Sequence, residues 1–524
     1  GDQGKRGDQS KRGDQSKRGD QSKRGDQGKR GDQGKRGDQG KRDDQSKRGG
    51  QVSRGHRAGR AERSDPVRRA AFDVLAAVDS RGAYANLMLP SVLRERRLTG
   101  RDAALATELC YGTLRGQGTY DAILEVCSDR RVARMDPPVR GVLRLGVHQL
   151  LATRIATHAA VATSVDLAKD VAGPRPAGFV NAVLRRVSTA DFDAWLAVVA
   201  PDRVADPVGY LAIRHSYPRW IVASFGEALG EPIVEAPAAN GPAETEQALA
   251  AGNIAPRVML CAIPGLCDRD ELMAAAPGEP ATWSPFGVQL TEGDPAAIRA
   301  VRERRALVQD EASQLVAVAL TRAEVTGPDK LWLDMCAGPG GKAALLAGLA
   351  AGCGARLLGA DARERRAAMA RDAVAGSGEA ARTIVADGTV PGWRPGVFDR
   401  VLADVPCCGL GSLRRRPESR WRRSPAQVAE LAEVQRSLLR SALEAVRAGG
   451  VVGYVTCSPH VGETREVIAG VLDGRADAEL LDAPALLPEV PELRCPPPYG
   501  KLIQFWPHRH GTDAMFLALI RRIG

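Results

Sequence analysis

From residue 66 the apolar positions fall three and four apart. Val67, Ala71, Val74, Leu75 and Val78 make the first series, and that spacing lines one face of an α-helix. Asp65-Pro66 opens it as an N-cap followed by proline at the first helical position, and Arg81-Gly82 stops it. Further helices are predicted over 101–115, 137–152, 159–171 and 178–187, so residues 66–190 read as a helical domain. Residues 191–240 read as a connector ending in an alanine-, proline- and glycine-rich stretch from Glu235 to Glu246. The short β-like pieces Arg257-Val-Met-Leu-Cys261 and Phe286-Gly-Val-Gln-Leu290 suggest a small α+β insert, which completes a unit over 191–306.

From 307 to 524 the pattern alternates. Strands are predicted at 331–336, 355–361, 382–387, 398–404 and 450–456, with helices at 341–351, 362–375, 427–447 and 463–473. Asp513 to Arg521 reads as a closing strand. Strands separated by helices indicate a mainly parallel, doubly wound α/β sheet.

The first 48 residues are eight tandem hexamers of the type GDQGKR or GDQSKR, the last being DDQSKR. They hold no apolar residue, so nothing offsets chain entropy and disorder is expected of residues 1–65. A β-solenoid of period six is a poor reading, because no side chain is available to stack. Of the net charge of +11, the hexamers carry seven and residues 49–65 two more. The basic character is therefore mostly a property of this tract, which suits either a weak RNA tether or a solubilising extension, or marks a misassigned start. No run of about 20 apolar residues exists to span a membrane, and no apolar signal-peptide core opens the chain. The ten cysteines show no paired CxxC pattern, and Cys261 and Cys267 are too isolated for a zinc site, so no metal is expected.

Candidate chemistry sits at the strand ends, where open α/β sheets bind ligands. The first strand runs into Cys336, Ala337, Gly338, Pro339, Gly340, Gly341 and Lys342. These glycines permit close backbone approach, yet the turn is neither GxGxxG nor a Walker loop. Asp361 ends the second strand and is suited to a ribose diol, with Arg366 about one turn further on. Asp387 ends the third and is suited to an adenine amino group. Each acid alone also suits a cap or turn; together, without a phosphate cradle, they favour S-adenosylmethionine.

Two cysteines follow later strands: Cys407 after Asp404-Val405-Pro406, and Cys457 before Ser458-Pro459. Adjacent strands lie about 4.8 Å apart, so both thiols can flank one small electrophile. Cytosine carbon 5 is a poor nucleophile until a thiolate adds to carbon 6, and the free thiol, with a pKa of about 8.5, needs a neighbour that favours the thiolate. Asp404 is suited to the cytosine amino or ring nitrogen, and Lys342 to supplying positive charge. Cys336, Cys353 and Cys408 read as inert, and His460 as structural.

Arg140-Gly-Val-Leu-Arg-Leu-Gly-Val-His-Gln-Leu-Leu151 and Gly178-Phe-Val-Asn-Ala-Val-Leu-Arg-Arg-Val187 resemble the closing helices of a NusB-type RNA-binding domain. Leu333-Asp-Met-Cys-Ala-Gly-Pro-Gly-Gly-Lys342, Ala403-Asp-Val-Pro-Cys-Cys-Gly-Leu-Gly411, Tyr454-Val-Thr-Cys-Ser458 and Val308-Gln-Asp-Glu-Ala-Ser-Gln-Leu315 resemble the Sun (Fmu) family of RNA cytosine-5 methyltransferases. The resemblance spans nearly everything from Pro66 to Gly524. It implies a NusB-like bundle, a class I methyltransferase fold, S-adenosylmethionine, Cys457 as nucleophile and Cys407 as the group that assists release. DNA cytosine methyltransferases are similar in using a Pro-Cys nucleophile, here Cys407; the Thr-Cys cysteine separates the RNA class. Many family members have serine where this chain has Cys408. By analogy the substrate is 16S rRNA, with tRNA or a non-catalytic RNA-binding factor as the alternatives. A cytoplasmic monomer with free thiols is expected.

Overall fold

The computed structural model describes residues 64–231, 243–390 and 392–524. The hexamer tract, and the start of the alanine- and proline-rich stretch at Glu235, lie outside the described residues.

The N-terminal helices form because capping and periodicity agree. Helix α1 (Pro66–Arg81) begins where the Asp65 carboxylate accepts from Val67 N at 2.8 Å and Arg68 N at 3.1 Å, and it ends at Gly82 with φ +64°. Helices α2 (Ala85–Glu95), α3 (Gly100–Ser128), α4 (Pro137–Ala152), α5 (Thr157–Ala172) and α6 (Ala177–Val187) follow. Leu109, Ile123, Leu124, Leu143, Leu145 and Leu167 are fully buried among them.

Helix α3 runs well past the expected end at 115. Its glycines at 112, 116 and 118 weaken local propensity, but packing outweighs it. A Cβ at Gly112 would lie 2.1 Å from the His148 ring, and one at Gly118 2.5 Å from that of Trp421. Gly112 and Gly118 thus admit side chains from other elements, and Gly116 admits the Tyr120 ring of α3 itself.

The stretch read as a connector is helical. It carries α7 (Phe192–Val199), α8 (Pro207–His215) and α9 (Arg219–Leu229). Its proline density suggests a linker, yet Pro207 occupies a first-turn position behind the Asp206 cap. Leu211, Ile221, Val222 and Phe225 pack with Leu249 of α10 (Glu244–Ala251) and with Leu410, Leu413 and Trp506 from the C-terminal part.

Next comes a small antiparallel sheet in the order β2-β3-β1-β4, built from β1 (Met259–Ala262), β2 (Gly278–Pro280), β3 (Gly287–Leu290) and β4 (Ala306–Val308), with α11 (Arg269–Ala275) and α12 (Arg299–Arg302) beside it. Helix α13 (Glu311–Arg322), which the periodicity did not single out, leads into the large sheet.

That sheet is ordered β10-β12-β9-β8-β5-β6-β7, with β11 paired to β12. Its strands are β5 (Leu331–Asp334), β6 (Arg356–Asp361), β7 (Ala381–Val385), β8 (Phe398–Asp404), β9 (Val446–Thr456), β10 (Ala478–Leu480), β11 (Ile503–Gln504) and β12 (Phe516–Arg522). β5 to β9 pair in parallel; β12, the expected closing strand, lies antiparallel to β9. Helices α14 (Gly341–Gly352) and α15 (Glu364–Val374) pack with α13 on one face. Helices α16 (Pro425–Ala445) and α17 (Arg465–Leu472) cover the other. The short α18 (Pro507–His510) precedes β12. Chain order reverses at β5, between β6 and β8, so the crevice of such a sheet opens at the carboxyl ends of β5 and β8.

Candidate active site

The turn after β5 is shaped by its neighbours. Gly340 has φ +116°, and a Cβ there would sit 2.4 Å from Ala373 Cβ. A Cβ at Gly338 would lie 2.6 Å from Arg366 Cβ and 2.7 Å from Asp361 Oδ2. These two glycines thus admit β6 and α15. Gly341 is open instead, because a Cβ there would meet nothing nearer than Gln309 at 3.7 Å.

Asp361 binds this turn. Its Oδ2 accepts from Gly338 N at 3.2 Å and Arg366 Nε at 2.9 Å, and its Oδ1 from Arg363 N at 2.9 Å. Arg366 also donates to the Gly338 carbonyl. Asp387 is exposed and caps its own turn, accepting from Thr389 N at 2.9 Å and Thr389 Oγ1 at 2.7 Å.

Asp334, at the end of β5, was not singled out from the sequence. It is buried, its Oδ2 has no hydrogen-bond partner, and burial, with Asp404 adding to it, pushes its carboxyl up to about 7. The available signal was an acid ending an otherwise apolar strand. Cys336 beside it is pushed well above the ordinary thiol range by burial.

Lys342, in the first turn of α14, donates to Asp404 Oδ2 at 2.9 Å. Burial opposes its charge, but Asp404 outweighs that and holds the ammonium above its ordinary value. Asp404 pairs in register with Val455, which brings the loops after β8 and β9 to the same height. There Cys407 Sγ lies 3.3 Å from Cys457 Sγ. The hydrogen bond between them lowers the Cys457 thiol despite burial, and Lys342 helps. The same bond and burial drive Cys407 well above the ordinary range. The opposite shifts make Cys457 the more readily ionised of the two thiols.

The loops are tied by backbone. Gly411 N donates to the Cys457 carbonyl at 2.9 Å, and Ala514 N to the Gly411 carbonyl at 2.9 Å. Cys408 is buried, and its thiol is raised by burial and by Glu463 beside it. His460 Nδ1 accepts from Gly462 N at 3.0 Å, which commits it to its turn. Arg414 and Arg415, past the Pro-Cys loop, pair with Asp310 and Asp513. Asp310 belongs to the 308–315 motif, which thereby braces the loop. Further on, Glu418 accepts from Ala85 N at 3.0 Å, the start of α2. The Arg420 guanidinium lies 3.8 Å from the Tyr217 ring centre and donates to Ser216 O at 2.9 Å. The segment after Cys407 is therefore seated on both sets of N-terminal helices.

Among the described residues no group of three or more His, Cys, Asp or Glu side chains could hold a metal ion. No described helix is long and apolar enough to cross a membrane.

Residues 323–521 match the model of the 16S rRNA methyltransferase RsmB/F family, and residues 65–189 that of the NusB family. A putative methyltransferase of Mycobacterium tuberculosis is 47% identical over 459 residues, covering 88% of this chain and 97% of that protein. A probable ribosomal RNA small subunit methyltransferase B of Bacillus subtilis is 31% identical, covering 87% and 99%. The crystal structure of PH0851 superposes with a TM-score of 0.69 at 20% identity, covering 87% of this chain and 98% of that one, and so shares the fold.

Proposed function

The chain belongs to the RsmB/F family of S-adenosylmethionine-dependent RNA methyltransferases, and from that membership we propose that it methylates carbon 5 of a cytidine in 16S rRNA through a covalent adduct with Cys457. The observation that carries this reading is the thiol pair, 3.3 Å apart, at the end of the Lys342–Asp404 ion pair.

The residues around the β5 turn fit the cofactor. Gly341 leaves backbone open, and Asp334 offers a buried oxygen without a partner, suited to a cationic group. A carboxylate has about four acceptor sites, and Asp361 uses three of them within the chain, which leaves room for one more donor. Residues 336–342 with Asp334, Asp361, Arg366, Asp387 and Asp404 would hold the cofactor, which supplies an electrophilic methyl group when bound.

The Cys457 thiolate adds to carbon 6 of the cytosine, and the displaced electron pair makes carbon 5 nucleophilic. Asp404 engages the amino or ring-nitrogen edge, and Lys342 offsets the charge that develops there. Once carbon 5 is methylated, it loses its proton to a base. The carbon 6–sulfur bond then breaks, returning the thiolate to Cys457. Cys407 stands beside the departing sulfur and assists that step. An unstacked base is required, because these atoms are inaccessible within a helix.

The test is methyl transfer from labelled S-adenosylmethionine to unmodified 16S rRNA and tRNA transcripts, followed by nucleoside analysis. Label in 5-methylcytidine from 16S rRNA supports the reading. Label in tRNA alone overturns the substrate, and label in another nucleoside overturns the chemistry.

A further inference from the structure

The turn that carries Cys407 is gripped on both sides. Gln435 Nε2, from α16, donates to the Pro406 carbonyl at 2.9 Å. Glu463 Oε1 accepts from Cys408 N at 2.7 Å. These two main-chain groups flank Cys407 directly. The clamp closes on itself, because Gln435 Nε2 also donates to Glu463 Oε1 at 3.2 Å. Tyr454 of β9 backs it, with its hydroxyl donating to the Glu463 carbonyl at 2.7 Å and to Gln435 Oε1 at 3.3 Å. The second Glu463 oxygen accepts the Cys408 thiol at 2.6 Å.

Glu463, Gln435 and Tyr454 are all fully buried, and Glu463 forms no ion pair among the described residues. Burying a carboxylate without a cation costs several kcal/mol unless its hydrogen bonds are good. Capping the helix after Thr464 would not need that charge. Cys457 is held differently. It continues β9, whose register is unbroken from Val451 to Val455 against β8 and to Thr456 against β12, and its carbonyl is bound by Gly411. The clamp has no hydrogen bond to Cys457.

We propose that Glu463 and Gln435 are positioning residues for Cys407, acting chiefly on release of the methylated base and only secondarily, through the Cys407–Cys457 hydrogen bond, on the attack. The proposal rests on the cysteine roles given above. Glu463 also contributes, after the Cys457 hydrogen bond and burial, to holding the Cys407 thiol protonated.

The experiment compares Gln435→Met, Glu463→Gln and Cys407→Ala with the unaltered protein on the RNA it methylates. It measures single-turnover methyl transfer, denaturant-resistant protein–RNA adduct, kcat and KM. Gln435→Met removes both donors at nearly constant shape. Glu463→Gln keeps an acceptor for Cys408 N, removes the charge, and carries the test should the first variant not fold. Misplacement by about 1 Å costs on the order of 10²-fold. The expected result is a fall of that size in kcat, unchanged KM, a first turnover slowed far less than kcat, and accumulated adduct. Unaltered turnover, or joint loss of adduct and first turnover in a folded variant, overturns the clamp. Absence of adduct in Cys407→Ala overturns instead the cysteine roles on which it rests.

Discussion

Cys407 Sγ and Cys457 Sγ lie 3.3 Å apart, and their environments push them in opposite directions. Of the two thiols, Cys457 is therefore the one that ionises more readily. Cys457→Ala should form neither adduct nor product. Cys407→Ala should attack and then stall, leaving an adduct stable to denaturation and visible as an RNA-shifted band. Normal turnover in Cys457→Ala would exclude it as the nucleophile. Because the Cys457 pKa is lowered, iodoacetamide at neutral pH should label it ahead of Cys407. Cys407→Ala, which removes the hydrogen-bonding partner, should slow that labelling, as peptide mapping can show.

Asp334 gives a pH signature. Its folded value of about 7 lies above the ordinary 3.8, so the fold prefers the neutral acid. The stability that this preference contributes is full below about pH 4, falls away as pH rises, and is gone above 7, where ionisation costs on the order of a few kcal/mol. Asp334→Asn should therefore raise the unfolding midpoint at pH 8 and flatten its decline between pH 4 and 7. The same change should weaken S-adenosylmethionine binding at pH 8, measured by calorimetry. An identical pH slope in both proteins would contradict the assignment.

Gly411 stands where two loops meet. A Cβ there would lie 2.0 Å from the Ala514 carbonyl oxygen and 2.9 Å from that of Cys457. Both obstacles are backbone, so neither can rotate away. Gly411→Ala should separate the Cys457 loop from its support and cut kcat by about 10²-fold. Retained activity would show that the loops tolerate displacement.

Gly112 sets two effects against each other. In a helix interior, alanine is favoured over glycine by about 1 kcal/mol. The added Cβ would, however, overlap the buried His148 ring at 2.1 Å. Overpacking typically costs about 1–3 kcal/mol, so Gly112→Ala should lower stability in denaturant titration. A gain would show that the ring moves freely.

The same residue shows where sequence reasoning stopped short. α4 begins and ends where its period and its prolines place it, because Pro137 and the apolar face are local features. α3 was cut short because its glycines look like breaks, while their role is contact with His148 and Trp421, both distant in sequence. The helices between 192 and 229 were hidden by prolines that turn out to start or separate them. At the site, the glycine turn and both cysteines were visible as strand-end motifs. Asp334, Glu463 and Gln435 were not, since nothing local distinguishes a buried acid or amide from an exposed one.

Sequence alone determined the residue chemistry: which side chains can act as nucleophile, acid or cation, and, through periodicity and turns, that they end parallel strands. Tertiary structure alone decided their pairing. It set Lys342 on Asp404, brought two sulfurs within hydrogen-bond distance, and left Glu463 buried without a cation. Those outcomes depend on distance and on exclusion of water, which arise only when strands far apart in the chain become neighbours.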